Sequence, residues 1–161
     1  MRRRPCHTIH YLISLLAVLT SAAEWHVFNS HKYLHLTGTL LSWQDARASC
    51  QSLAAGGDLV TLESAEEEAF VVGAVMDGVV VDTWIGCRYI TPANVWTWAG
   101  TGASCAKTNS ATYTRWHPGE PSTPEGDPVE QAICGSFWDS VGDATGVSIW
   151  NDEGKRTTVQ C

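Results

Sequence analysis

The chain has little positive charge, no long apolar run and none of the close cysteine pairs that mark metal or redox sites. Lysine and arginine number 10 against 17 aspartates and glutamates in 161 residues, a formal net charge of −7. That balance repels phosphate backbones and anionic lipid heads, so nucleic acid is excluded as an expected partner. The longest apolar run is "YLISLLAVL" at residues 11–19, and a helix needs roughly 20 residues to cross a bilayer. No CxxC pair and no Cys/His spacing typical of zinc occurs. His31 and His35 are four apart, a spacing that suits a metal only on a helix, and Tyr33, Leu34 and Leu36 around them read as strand. There is no Asn-x-Ser/Thr acceptor, no repeat and no low-complexity tract. His117 and Asp127 stand near Ser122, yet no nucleophile-elbow glycine pattern or acid–base pair accompanies them, so no enzyme is expected.

What is present begins with a leader. Arg2, Arg3 and Arg4 precede the apolar run, and "TSAA" follows it with small residues, which predicts a signal peptide over residues 1–23 cleaved after Ala23. The expectation is a secreted, extracellular protein with no membrane insertion once the leader is gone. One domain then spans residues 24–161, and 161 less 23 leaves 138 residues, enough for a single core. Losing three arginines takes the basic count from 10 to 7, and 7 against 17 gives −10. An acidic surface suits a cation site. Five cysteines remain, Cys50, Cys87, Cys105, Cys134 and Cys161; in an oxidising compartment they read as disulfides with one left over, a thiol that could link two chains. The short, back-turning segment between Cys87 and Cys105 favours that pair, while geometry also admits Cys134.

Two helices are predicted in the first half. Ser42 and Asp45 form a capping pair, and Trp43, Ala46, Cys50 and Leu53 fall on one helical face before "AAGGD" stops the helix. Ser64 and Glu67 open a second helix through "SAEEEAFVVGAV", with acids where the helix dipole favours them. "VVVDTWIG" and "VWTW" read as strands. A stretch of almost thirty irregular residues, 99–127, follows, and loops of that length are commonly functional. "EQAICGSF", "SIW" and "TTVQC" close the chain as short strands. The class is α+β.

In order along the chain stand Trp25, Phe28 and Tyr33, then "WQDARASCQSL", "GGDLVTLESAEEEAFV", "WIG", "WTW", "YTRWHPGEPS" and "IWND" with a terminal cysteine. This series resembles the C-type lectin-like domain over essentially all of residues 24–161. The resemblance implies a fold of two helices, short antiparallel strands and a long irregular loop. It also implies a Cys50–Cys161 bridge, and it places a usual second bridge at Ala132 and Lys155, where both cysteines are missing. Trp43, Trp84, Trp98 and Trp150 are the expected core, since large rings fill a domain with little regular structure. Trp116 and Trp138, near the loop, are candidates to stack on a sugar.

Calcium-dependent members of that family surround one ion with a Glu-Pro-Asn triplet, a second glutamate and the Asn-Asp of "WND", with the proline cis. Carried onto this sequence, the ligands are Glu120, Ser122, Glu130, Asn151 and Asp152, and Pro121 is the cis residue. The same five residues would bind the sugar, with Ca2+ as cofactor and glycans or glycoproteins as partners. Calcium prefers this kind of oxygen set. Glu120 sides with members that take mannose, fucose and N-acetylglucosamine. Ser122 in the asparagine's place has a shorter reach and discriminates hydroxyl orientation less well. Glu125 and Asp127 suggest an auxiliary ion, although Gln131 stands where that second site usually has an acid. The alternative is a calcium-independent module that binds a protein or another surface.

Overall fold

The structure, a computed structural model, describes residues 24–78, 82–90, 93, 95–107, 111–122, 134–138, 149–153 and 157–160. The expected signal peptide and Cys161 lie outside the described residues. The chain opens with a hairpin of β1 (His26–Phe28) and β2 (His31–Tyr33), turned at Asn29 and Ser30, whose φ values are 45° and 69°. Two consecutive positive φ angles suit the tight turns that match strand twist. β3 (His35–Leu41) follows. The single first strand suggested by Trp25, Phe28 and Tyr33 is therefore this hairpin, and His31 and His35 sit on strands rather than one helix.

Helix α1 (Trp43–Leu53) starts where Ser42 accepts a hydrogen bond from the Asp45 N–H at 3.2 Å, while its hydroxyl donates to the Asp45 carboxylate at 2.7 Å. Trp43, Ala46 and Cys50 are buried. Leu53 is not: it is 44% exposed, because the helix face leaves the core in its last turn. At Gly57 a Cβ would lie 2.7 Å from the Cys50 carbonyl, so only glycine lets the chain double back on α1. α2 (Ala65–Phe70) is capped by Ser64, which accepts from the Glu67 N–H, and continues as one π-helical stretch over Val71–Val75.

β4 (Thr83–Ile90), β5 (Val95–Trp98), β6 (Cys134–Trp138), β7 (Ile149–Glu153) and β8 (Thr157–Gln160) complete the elements. A six-stranded sheet runs β3-β8-β4-β6-β7, with β5 also on β4. All its pairings are antiparallel except β4–β8. The four expected core tryptophans are all buried, Trp84 and Trp150 almost completely. Trp96 and Trp116 join them. The Trp150 ring meets Trp98, Tyr113 and Trp116 edge-on at 5.4, 5.9 and 5.8 Å. Such pairs contribute about 0.5–1.5 kcal/mol each beyond their burial.

Trp150 therefore anchors β7 in the core, immediately before Asn151 and Asp152. Cys87 and Cys105 are bridged. Cys50 is also disulfide-bonded, to a partner outside the described residues. Cys134 is a fully buried thiol, pushed up to about 12 by its burial. That corrects the idea of a spare cysteine joining two chains: this sulfur faces the core beside Trp43 and Trp84.

Candidate carboxylate site

Backbone pairing brings two distant segments together. The Trp150 N–H donates to the Arg115 carbonyl at 2.8 Å, and the His117 N–H donates to the Trp150 carbonyl at 2.9 Å. Trp116 and Trp150 thus form a parallel bridge, and the irregular loop is laid alongside β7. The loop then turns. The Glu120 N–H donates to the His117 carbonyl at 2.9 Å, with Pro118 and Gly119 between them and Gly119 at φ 100°. Proline followed by a residue of positive φ is the signature of a type II turn. The Glu120–Pro121 peptide bond is cis.

These turns place Glu120 and Ser122 against Asp152. The Ser122 N–H donates to Glu120 Oε2 at 2.6 Å and to Asp152 Oδ1 at 3.1 Å. The Ser122 hydroxyl reaches Asp152 Oδ1 and Oδ2 at 3.2 and 3.3 Å. The two carboxyl groups thus converge on one donor, the Ser122 N–H, close enough for each to shift the other's proton affinity. Burial, reinforced by the hydrogen bond to Glu120 and its negative charge, pushes Asp152 up to about 6. Glu120, as the acceptor of that bond, is held below the usual carboxylate range, with the Ser122 N–H and hydroxyl adding to the effect. On acidification Asp152 takes up the proton before Glu120 does.

Asn151 is half-buried next to Asp152 and pairs with Ser136 across the sheet. The expected third carboxylate, Glu130, lies outside the described residues, as do Glu125, Asp127 and Gln131 of the suggested auxiliary site. Among the described residues no cluster of three or more His, Cys, Asp or Glu is assembled. Two carboxyls drawn together around Ser122 nevertheless fit a divalent ion, which would compete with protons for them.

A sequence model of the family described as Lectin C-type domain matches residues 39–158. The chain belongs to the C-type lectin domain family. This C-type lectin domain is 28% identical over 138 residues to C-type mannose receptor 2 of Mus musculus, covering 86% of the chain and 8% of that protein. The chain thus spans under a tenth of the length of that relative. Among solved structures, the C-type lectin CEL-I from Cucumaria echinata is 24% identical with a TM-score of 0.65, covering 85% of this chain and 92% of that one. The SPL-1–GlcNAc complex is 24% identical with a TM-score of 0.64, covering 85% and 90%. At that identity both likenesses speak for the fold.

Within the lectin domain, two neighbours of the site have different fates. Trp116 is only 6% exposed and donates from Nε1 to the Cys105 carbonyl at 2.8 Å, so it cannot stack on a sugar. Trp138 is half-buried, with its ring edge-on to His117 at 5.0 Å. A separate cavity of about 630 Å³, lined by Trp25, His31, Leu53, Asp58 and Glu67 among others, includes neither carboxylate of the pair. It is a shape without the site's chemistry. Two residues that matter here carried no local signal: Lys107, whose ammonium donates to the His117 and Glu120 carbonyls, and Glu68, which holds Tyr113 and Arg115 at the entrance to the loop.

Proposed function

We propose that this domain, secreted as residues 24–161, binds carbohydrate in a calcium-dependent way. The sugars are of the mannose, fucose and N-acetylglucosamine type, on glycans or glycoproteins. The observation that carries the reading is the convergence of the Glu120 and Asp152 carboxyls on the Ser122 N–H, made by two segments about thirty residues apart. Glu120, Glu130, Asn151 and Asp152 would hold the ion, with Ser122 in the place of an asparagine ligand. When bound, calcium supplies open coordination positions for two neighbouring sugar hydroxyls. The chain's own groups orient those hydroxyls: carboxylates accept their protons, and the Asn151 amide donates to their lone pairs.

Ser122 spends its hydroxyl on Asp152 rather than projecting freely. It acts as a strut under the carboxylate, so affinity in the roughly 10⁻⁴–10⁻³ M range of extracellular calcium modules, about five orders of magnitude weaker than tight buffers, is the expectation. Among the described residues no helix is long and apolar enough to cross a membrane. Nothing in the site calls for a reaction; the domain is read as a binder and not an enzyme.

A second reading rests on the same contacts. Ser122 satisfies Asp152 without a metal through its N–H and hydroxyl, which suits a calcium-independent module for protein or surface binding. Calorimetric titration with calcium and retention on immobilised mannan separate the two. The lectin reading expects heat on calcium addition, release of the bound domain by chelator, and loss of both in Asp152→Ala. If Asp152→Ala is stabilised by calcium as much as the native protein, these ligands are wrongly assigned. Retention indifferent to chelator establishes the second reading.

A further inference from the structure

We infer that Lys107 is a positioning residue for the site, its ammonium clamping the turn that presents Glu120. The inference deepens the calcium-site reading and rests on it for the role of Glu120, but the clamp itself is a matter of hydrogen bonds. Lys107 Nζ donates to the His117 carbonyl at 3.2 Å and to the Glu120 carbonyl at 3.0 Å. These carbonyls bracket the turn. The Glu120 N–H also closes onto the His117 carbonyl, so that oxygen accepts from both ends of the clamp. Without Lys107, one backbone hydrogen bond would hold a turn made of proline and glycine.

The clamp works because Lys107 is carried on a fastened segment. Cys105, two residues earlier, is bridged to Cys87 in β4, and its N–H donates to the Trp96 carbonyl at 3.1 Å. Ser104 pairs with Thr97. From this base the segment grips the loop at successive residues, with the Cys105 carbonyl on Trp116 Nε1 and Lys107 on His117 and Glu120. The ammonium is bonded to carbonyl oxygens, which leaves the Glu120 carboxylate directed at Asp152. Lys107 is exposed, and hydrogen bonds at an exposed ammonium add little to global stability. Their effect is local: they raise the free energy of opening one turn.

Two variants test this, Lys107→Met, which keeps the length and removes the donors, and Lys107→Arg, which keeps charge and donors. The first readout is hydrogen exchange at the Glu120 and Ser122 amides without calcium. Lys107→Met is expected to speed it about fivefold, while β4 amides and the melting temperature stay near native and Lys107→Arg exchanges as the native protein does. The second readout is the calcium concentration at half-maximal stabilisation, expected to rise about threefold to tenfold in Lys107→Met only. Native exchange at Glu120 and Ser122 in Lys107→Met overturns the clamp. Faster exchange throughout the domain overturns it too, by making Lys107 a general stabiliser. An unchanged calcium midpoint beside faster local exchange overturns the positioning role. If the native protein itself shows no calcium response, the site reading fails, while the exchange comparison still decides the clamp.

Discussion

Two pairs of carboxylates in this domain look alike in composition and differ in what they face. Glu67 and Glu68 on α2 are 7% and 3% exposed, and each has its own phenol: Tyr33 donates to Glu67, and Tyr113 donates to Glu68 at 2.8 Å. Glu67 also accepts the Glu63 N–H at 2.7 Å, and Arg115 stands 3.9 Å from Glu68. Burial first, and then the facing glutamate, pushes both phenols up, so they remain donors at any physiological pH. Glu120 and Asp152 instead share one donor, the Ser122 N–H, and act on each other. Burial alone would single out the α2 pair as unusual. The kind of partner reverses that ranking: a carboxylate matched to a phenol is part of the framework, and two carboxylates matched to each other are the pair that the proposed calcium site would use.

The comparison breaks most easily at Glu67. Glu67→Ala strands the Tyr33 hydroxyl and the Glu63 N–H, and is expected to destabilise the domain by about 3 kcal/mol in urea unfolding, with or without calcium. A calcium-dependent loss would mean that Glu67 belongs to an ion site after all. The next effect is on pH. An ion must displace the proton that Asp152 holds to about 6, so calcium affinity should fall about tenfold between pH 7 and pH 5 and be nearly flat above pH 7. Calorimetry across that interval checks it.

The smallest effect concerns the metal-free protein. Asp152 holds its proton more tightly folded than unfolded, so its contribution favours the fold fully in acid below its ordinary pKa of 3.8 and is lost as pH rises through about 6. Glu120, shifted down, contributes in the opposite sense, above its ordinary range, and loses that contribution as pH falls. Asp152→Asn keeps an amide donor toward Glu120 and removes the repulsion. At pH 7.5 it should stabilise the calcium-free domain by about 1 kcal/mol at most, since the group is half open to solvent. The same variant should lose the calcium response. Thermal melts with chelator read the first effect, and melts with calcium read the second.

What could be read from residues alone follows the range of the interaction. Ser42 and Ser64 cap helices through contacts three residues away, and both caps were visible as local patterns. Trp43, Trp84, Trp98 and Trp150 were legible as core from the size of their rings and the resemblance, and Trp43 from helical periodicity as well. Leu53 obeyed the same periodicity and is exposed, because a helix pattern does not say where the face runs out of protein. Trp116 read as a candidate sugar platform, since nothing local tells that the Cys105 carbonyl takes its indole N–H. The acids of α2 looked like dipole decoration; their partners lie 34 and 45 positions away. The convergence of Glu120 with Asp152 came from resemblance and not from spacing. Lys107 left no trace, being one exposed lysine among the few the chain has.

The ring cluster around Trp150 has a practical consequence for anyone engineering this protein. One residue supplies both the indole at the centre of the interior and the backbone rung on which the irregular loop of the proposed site hangs. Damage to packing several ångströms inside would travel along that rung and masquerade as a change of taste in ligand. Libraries aimed at new specificity should therefore leave Tyr113, Trp98 and Trp116 untouched and vary the rim alone.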